Sequence, residues 1–504
     1  MAQIYLGIDC GTTGMKCMAV DENGRRIYVA SRMHKTRSPH EGWLEQDPEG
    51  WLEPAFAVIR ECAEAVGRDR IKAISFSGHM SSPVFLDHVN RPVYPCMTVG
   101  DARCKEQADR LLAEKEEAFR RAVGNKPLAC FAAPKLLWFM EREPEKYQRT
   151  KTFVMAKDYL RYAMTGVLNT DPTDAGNTLL YEEKQNRWNR ELIRQIGLRE
   201  DLFPEVRQAA DHVGAVREEI AARCGLNPGT VVYCGGADMA CSQIGTGSLR
   251  EGVLAVTLST SGQVCMHISG RKEQGYGKLT FHPGILKDRG YAMGSVFSGG
   301  LALNWGYQML SGCRHMTKED LNKMNALASG AEKFPPGSDG VMFLPFLTGS
   351  GSPYFYPSDR AAFLGLSTTA DQRVMFQAVM EGVSFHIRES VDVFRDMGER
   401  IRAVHLSGGG TRIRAWIRIL TDILGMEVHI MEESDASTHG AALIAAAGGR
   451  GEQGLYELAN GAVRIAETVK PDPGRVRQYE RLYSVYKGYC RAVHEMYGLT
   501  ERAG

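Results

Sequence analysis

The sequence predicts an α/β chain made of two similar halves. Three observations predict it. Residues 4–20 show an apolar run, a Gly/Thr turn and a second apolar run, the pattern of a strand–turn–strand hairpin. Residues 254–268 repeat that theme around Thr260-Ser261-Gly262. Short apolar runs then alternate with stretches of helical period along the chain. A hairpin at the head of each half suggests a structural duplication with its boundary near 245–252. The expected domains are therefore residues 1–248 and 249–504.

The elements follow in order. Residues 4–9, 17–20 and 26–30 read as a meander, with a turn at Asp21-Glu22-Asn23-Gly24. This differs from the strand-to-helix start of a P-loop or a Rossmann unit. Residues 48–66 read as a helix with Asp47 as N-cap and Pro48 at N1. Residues 71–76 read as a strand, and residues 101–220 as an α-rich region. Within that region helices open at Pro134-Lys135 and Lys157-Asp158. A strand at 231–234 leads through Gly235-Gly236-Ala237-Asp238 into a helix. Helices are also expected at 301–310, 370–397 and 414–424, with a strand at 403–406.

Composition narrows the function classes. Of 504 residues, 43% are hydrophobic and 24% charged, ordinary for a globular protein. Lys plus Arg number 61 against 60 Asp plus Glu, a net charge of +1 that gives no support to nucleic-acid binding. No apolar run approaches the ~20 residues of a membrane helix. The first residues show no signal-peptide pattern. Twelve cysteines are scattered without metal-ligand spacing. They read as reduced, mostly buried thiols, so a cytoplasmic protein is expected.

Four segments carry the chemistry. Asp9-Cys10-Gly11-Thr12-Thr13-Gly14-Met15-Lys16 has glycine for close backbone approach, hydroxyls and a cation for phosphate oxygens, and an acid that could meet Mg²⁺. Alone it equally suits an ordinary hairpin turn. Ser259-Thr260-Ser261-Gly262 in the second half makes coincidence harder to argue. Gly408-Gly409-Gly410 precedes a helix and would let a flat ligand lie on bare backbone beside free N–H groups. Asp238, at a strand-to-helix junction, suits either a helix cap or a general base for phosphoryl transfer.

Several motifs in this order resemble the FGGY carbohydrate kinases, closest in layout to the xylulokinases. They are Asp9-x-Gly11-Thr12-Thr13-x-x-Lys16, Gly42-Trp43-x-Glu45-Gln46-Asp47-Pro48-Glu49-x-Trp51, Pro134-Lys135-Leu136-x-Trp138, Lys157-Asp158-Tyr159-Leu160, Asp174-Ala175, Gly235-Gly236-x-Asp238, Thr260-Ser261-Gly262 and Ser407-Gly408-Gly409-Gly410 with Trp416. The resemblance spans about residues 4–490. It implies a two-domain actin-like and hexokinase-like (ribonuclease H-like) ATPase fold, with ATP and Mg²⁺ in an inter-domain cleft. It also implies a small sugar or polyol as acceptor, and a homodimer.

By position, the resemblance makes Asp238 the catalytic base and Asp9 the metal-side acid. Gly11, Thr12, Thr13, Lys16 and Thr260 resemble phosphate contacts. Gly300, Asn304, Gly408, Gly409 and Ile413 resemble the nucleotide site. The acceptor side falls on His79, Met80, Ser81, Asp101, Asp238 and Met239. Here the chain departs from the xylulokinases. They read Gly-Gln-Met-His-Gly where it has Gly78-His79-Met80-Ser81-Ser82, and Trp-Asn-Asp where it has Val99-Gly100-Asp101. They place Asn where it has Met239. The Gly349-Ser350-Gly351-Ser352-Pro353-Tyr354 loop looks more like that of glycerol kinase. Lost polar contacts of this kind change acceptor choice strongly.

Overall fold

The computed structural model describes residues 2–314, 316–331 and 335–503. By contacts the chain divides into two units. The first holds residues 1–249, 281–291 and 435–463, and the second holds 250–280, 292–434 and 464–504. The second half of the chain thus contributes two segments to the first unit.

In the first unit, strand Ile4–Cys10 is buried at every residue, as a central strand covered on both faces must be. It pairs antiparallel with Gly14–Asp21 and parallel with Ile71–Gly78. The full order is His212–Ala215, Val231–Tyr233, Ile71–Gly78, Ile4–Cys10, Gly14–Asp21 and Arg26–Met33, with Gly236–Ala237 also on Ile71–Gly78. Side chains alternate across a strand. Ile4, Leu6, Ile8 and Cys10 therefore join Phe56, Val58, Ile59 and Cys62 of helix Leu52–Val66 in one core. Tyr5 joins a second core with Ala442, Ala445 and Ala446 of helix Ala436–Ala447. That helix comes so near that a Cβ on Gly7 would lie 2.3 Å from both the Ala442 nitrogen and the Thr438 carbonyl oxygen.

The second unit repeats the motif. Strand Val253–Leu258 pairs antiparallel with Gly262–His267 and parallel with Ala403–Ser407. The correspondence reaches single positions. Asp9 faces Ser77 in the first sheet, and Thr257 faces Ser407 in the second. The second sheet also takes in Thr280–His282, Tyr291–Val296, Val428–Met431 and Ile465–Val469. Helix Gln372–Asp396 is capped by Asp371, whose carboxylate accepts the N–H groups of Arg373 and Val374 at 2.8 and 3.0 Å.

Helix starts at 300, 372 and 414 follow the sequence pattern closely. One start does not. The α-helix expected from Pro48 begins at Leu52, after a 3₁₀ turn at Glu49–Trp51. Asp47 still accepts the Glu49 N–H at 3.1 Å, so it caps the tighter turn instead. The α-rich region also contains the strand Thr152–Met155. All twelve cysteines are free, and all but Cys130 and Cys313 are buried. Among the described residues, no helix is long and apolar enough to cross a membrane.

Candidate active site

The first turn is built to keep its hydroxyls outward. Its carbonyls are tied back into the protein. The Gly11 carbonyl meets His34 Nε2 at 2.8 Å, and the Thr12 carbonyl accepts Gln46 Nε2 at 2.7 Å. The Gly11 N–H bonds the Gly14 carbonyl at 3.0 Å, closing the hairpin. Thr12 and Thr13 stay exposed. Gln46 is in turn held by Trp51 Nε1 at 2.9 Å. The segment from Trp43 to Trp51 thus buttresses the turn, a role its sequence did not disclose.

Asp9 is the penultimate residue of the strand below. It is buried, and Ser437 donates to its Oδ2 at 3.2 Å. Its Oδ1 is buried without a hydrogen-bond partner. Burial pushes this carboxyl up, while the Ser77 hydroxyl, the Lys16 ammonium and the Ser437 hydroxyl pull it down. Lys16 itself pairs with Asp435. Both Asp435 and Ser437 were missed from sequence, because no local signal joins residues more than 400 positions apart.

Asp238 opens helix Asp238–Gly245 as its first residue, and Ala237 occupies the cap position. Its Oδ1 accepts the adjacent Met239 N–H at 2.7 Å. Asp238 therefore stands one residue past the cap position, and its carboxylate takes the N–H of the helix's second residue from there. Its pKa is pushed up to about 7, first by burial and then by the charge of Asp9. Backbone N–H groups of Met239 and Met80 oppose the rise. The residue keeps part of its surface open to solvent.

The acceptor-side residues are mostly tied within the chain. His79 is buried, its Nδ1 lies 2.6 Å from Ser82 Oγ, and its ring packs edge-on to Trp51. Burial drives it down to about 3, so it stays neutral; its Nε2 has no hydrogen-bond partner. Ser81 adopts φ 58°, and its hydroxyl reaches the Asn177 carbonyl at 3.4 Å. Asp101 binds Arg103 at 2.7 Å and accepts the Leu44 N–H at 2.7 Å. Arg103 also bonds Glu45 and lies 3.8 Å over the Trp43 ring. The geometry thus gives Asp101 a bracing role with Arg103. Met80 is buried and Met239 half-buried. Lys135, wholly buried, donates to the Ser81 and Thr98 carbonyls at 2.8 and 2.7 Å.

In the second unit, the turn at 259–261 follows the same rule. Its Ser259 and Thr260 carbonyls accept the Gly300 and Leu301 N–H groups at 2.7 and 2.9 Å. These belong to the first turn of helix Gly300–Ser311. A Cβ on Gly300 would lie 2.6 Å from the Ser259 carbonyl oxygen, so this glycine lets the helix end support the turn. Thr260 and Asn304 are exposed.

The three glycines after Ser407 separate into two kinds. Gly408 has φ 92°, and a Cβ there would lie 2.4 Å from the Leu258 carbonyl oxygen. A Cβ on Gly410 would lie 2.7 Å from Leu258 and Trp416 side-chain atoms. Gly409 is exposed, and a Cβ there would meet nothing within 4 Å. The chain's own packing explains the first and third glycines but not Gly409. Ile413 precedes helix Arg414–Leu424 and is buried.

Comparison with known proteins agrees with this architecture. Residues 4–245 match the N-terminal domain, and residues 254–448 the C-terminal domain, of the FGGY family of carbohydrate kinases. A xylulose kinase of Bacillus subtilis is 31% identical over 484 residues, 96% of this chain and 95% of its own. The crystal structure of a xyloylose kinase from Brucella ovis superposes with TM-score 0.89 at 29% identity, covering 98% of this chain and 100% of that one. A gluconate kinase from Lactobacillus acidophilus reaches TM-score 0.91 at 22% identity, covering 99% of this chain and 100% of that one, which shows a shared fold alone. The fold and these matches define a two-domain carbohydrate kinase of the actin-like ATPase type. The chain belongs to the FGGY family of carbohydrate kinases, whose members use ATP as phosphoryl donor.

Proposed function

We propose that this kinase transfers the γ-phosphoryl group of ATP to a hydroxyl of a ketopentose such as xylulose, with Asp238 as general base. The Asp238 environment carries the reading. It is a partly open carboxyl one residue past the cap position, held near 7, where a base is most effective. The Asp238 carboxylate takes the proton from the acceptor hydroxyl. That oxygen bonds to the γ-phosphorus as the bond to the bridging oxygen breaks, and ADP leaves. The outward hydroxyls of Thr12, Thr13 and Thr260 would donate to phosphate oxygens, with Lys16 adding charge. Gly409 and Ile413 would flank the nucleoside. The acceptor class rests on the xylulose kinases that are 27–31% identical over almost the whole chain.

Asp9 suits Mg²⁺. Its unpartnered Oδ1 is the hard oxygen donor such an ion prefers, and a single carboxylate fits an ion that keeps several waters. When bound, the ion would neutralise charge on the phosphates.

A second reading has one observation behind it. On the acceptor side, Ser81 Oγ, His79 Nδ1 and Asp101 already have partners within the chain, and Met80 and Met239 add thioethers. This favours an acceptor with fewer hydroxyls. A coupled ADP-release assay over ketoses, polyols and sugar acids separates the readings. Highest kcat/KM on D-xylulose supports the first, and highest kcat/KM on a less hydroxylated polyol supports the second. ATP turnover indifferent to every acceptor would overturn both.

A further inference from the structure

A dense, buried charge cluster of the first unit lies outside the candidate site residues described above. Lys157, Asp158, Arg161, Asp171 and Asp174 all have side chains fully removed from solvent. Lys157 Nζ stands 2.8 Å from Asp171 and 3.0 Å from Asp174, and it also pairs with Asp158. Arg161 reaches Asp158 at 2.9 Å. The three carboxylates lie close enough together for a metal, yet the Lys157 ammonium already pairs with all three. A buried ion cluster is a weak source of stability, because desolvation cancels much of the attraction. Its contacts point to another role.

Two of those contacts lead to the turn that bears Asp238. Arg161 Nη1 donates to the Cys234 carbonyl at 2.6 Å. Thr173 Oγ1 accepts the Ala237 N–H at 2.8 Å. Thr173 is fixed in turn by Asp171, whose Oδ1 accepts its backbone N–H at 2.9 Å. The turn has no slack elsewhere. The Cys234 and Gly235 N–H groups bond the Asp211 and Ala209 carbonyls at 3.0 and 2.9 Å. Gly235 sits at φ 79°, where a Cβ would lie 2.0 Å from the Phe76 carbonyl oxygen.

We propose that this buried cluster is a positioning device that holds, through Arg161 and Thr173, the turn presenting Asp238. The inference rests on Asp238 being the base. Geometry of the reacting groups governs such a step, and a misplacement of about 1 Å can reduce the rate ~10²-fold. Thr173 is the contact to test, because Thr173→Val keeps the shape and removes the acceptor for Ala237 together with the hydroxyl's own donation to Asp171. Thr173→Ser retains that acceptor.

The whole enzyme is assayed with ATP and D-xylulose, or the panel sugar of highest turnover. Thr173→Val lowers kcat by about 10- to 100-fold with KM for ATP unchanged, and Thr173→Ser restores it. The decisive measurement repeats Thr173→Val in an Asp238→Asn background. If Thr173 acts through Asp238, the second substitution lowers the residual rate less than about 2-fold there. An equal loss in both backgrounds, or full kcat in Thr173→Val, overturns the inference. So does a melting temperature that falls while kcat stands, since that marks a purely structural contact. A wild-type rate in Asp238→Asn sinks the base assignment itself, and the inference with it.

Discussion

Asp238→Asn should make the protein slower and more stable at once. The substitution keeps the side-chain shape and an oxygen for the Met239 N–H. It removes the charge that burial and Asp9 oppose. A pKa rise from 3.8 to about 7 corresponds to roughly 4 kcal/mol at most, at about 1.4 kcal/mol per unit. Partial exposure of the residue reduces this, so a gain of about 1–3 kcal/mol is expected at pH 8. The sign follows from the raised value. The native state holds the Asp238 proton more tightly than the unfolded chain does. Its favourable contribution is complete below about pH 4 and is lost as pH rises towards 7. The stability gain in Asp238→Asn should therefore shrink as pH is lowered from 8 to 5, in urea titrations of both proteins. The rate should fall at least ~10²-fold. In the wild type, kcat/KM should decline below about pH 7, as the base becomes protonated. His79 cannot supply that limb, because it is held down to about 3. Asp9 is the rival, since burial raises it too. Its limb would survive in the residual activity of Asp238→Asn. A persistent limb, or no stability gain at pH 8, would refute the reasoning.

Four further substitutions probe the remaining parts. Lys157→Met leaves Asp158 and Asp171 without their ammonium and should destabilise by about 3–5 kcal/mol in urea; a loss below ~1 kcal/mol would contradict the buried pairing. Gly409→Ala should leave stability within about 0.5 kcal/mol and raise KM for ATP, because its Cβ meets no protein atom within 4 Å. Gly410→Ala should destabilise by about 1–3 kcal/mol, since its Cβ would fall 2.7 Å from Leu258 and Trp416. Equal stability losses at 409 and 410, by thermal melts, would erase the distinction. Gly300→Ala should raise KM for ATP several-fold, by pushing its Cβ against the Ser259 carbonyl that its N–H supports; unchanged ATP kinetics would count against that support.

Local chemistry made part of this legible. A glycine-rich turn between two apolar runs folds as a hairpin wherever it lies in the chain, so both hairpins and their exposed threonines could be read directly. Helix starts were readable where cap chemistry was simple, as at Asp371. At Pro48 the tighter turn won, because Asp47 bonds the Glu49 N–H and the α-helix forms only afterwards. Asp238 shows the limit of local reading. Its local sequence favours a helix cap, and only the fold shows that Ala237 holds that position instead.

The sequence by itself therefore determined the two hairpins and the short list of chemically able residues, because these depend on neighbours within a few positions. Tertiary structure alone decided which of those residues come together in space. Sheet order carries helix Ala436–Ala447 onto the first strand, so Asp435 meets Lys16 and Ser437 meets Asp9. It sets Thr173 beneath Ala237 and isolates Gly409 from its two packed neighbours. Such pairings arise from the register of strands and the packing of helices far apart in the chain, and no local pattern of residues encodes them.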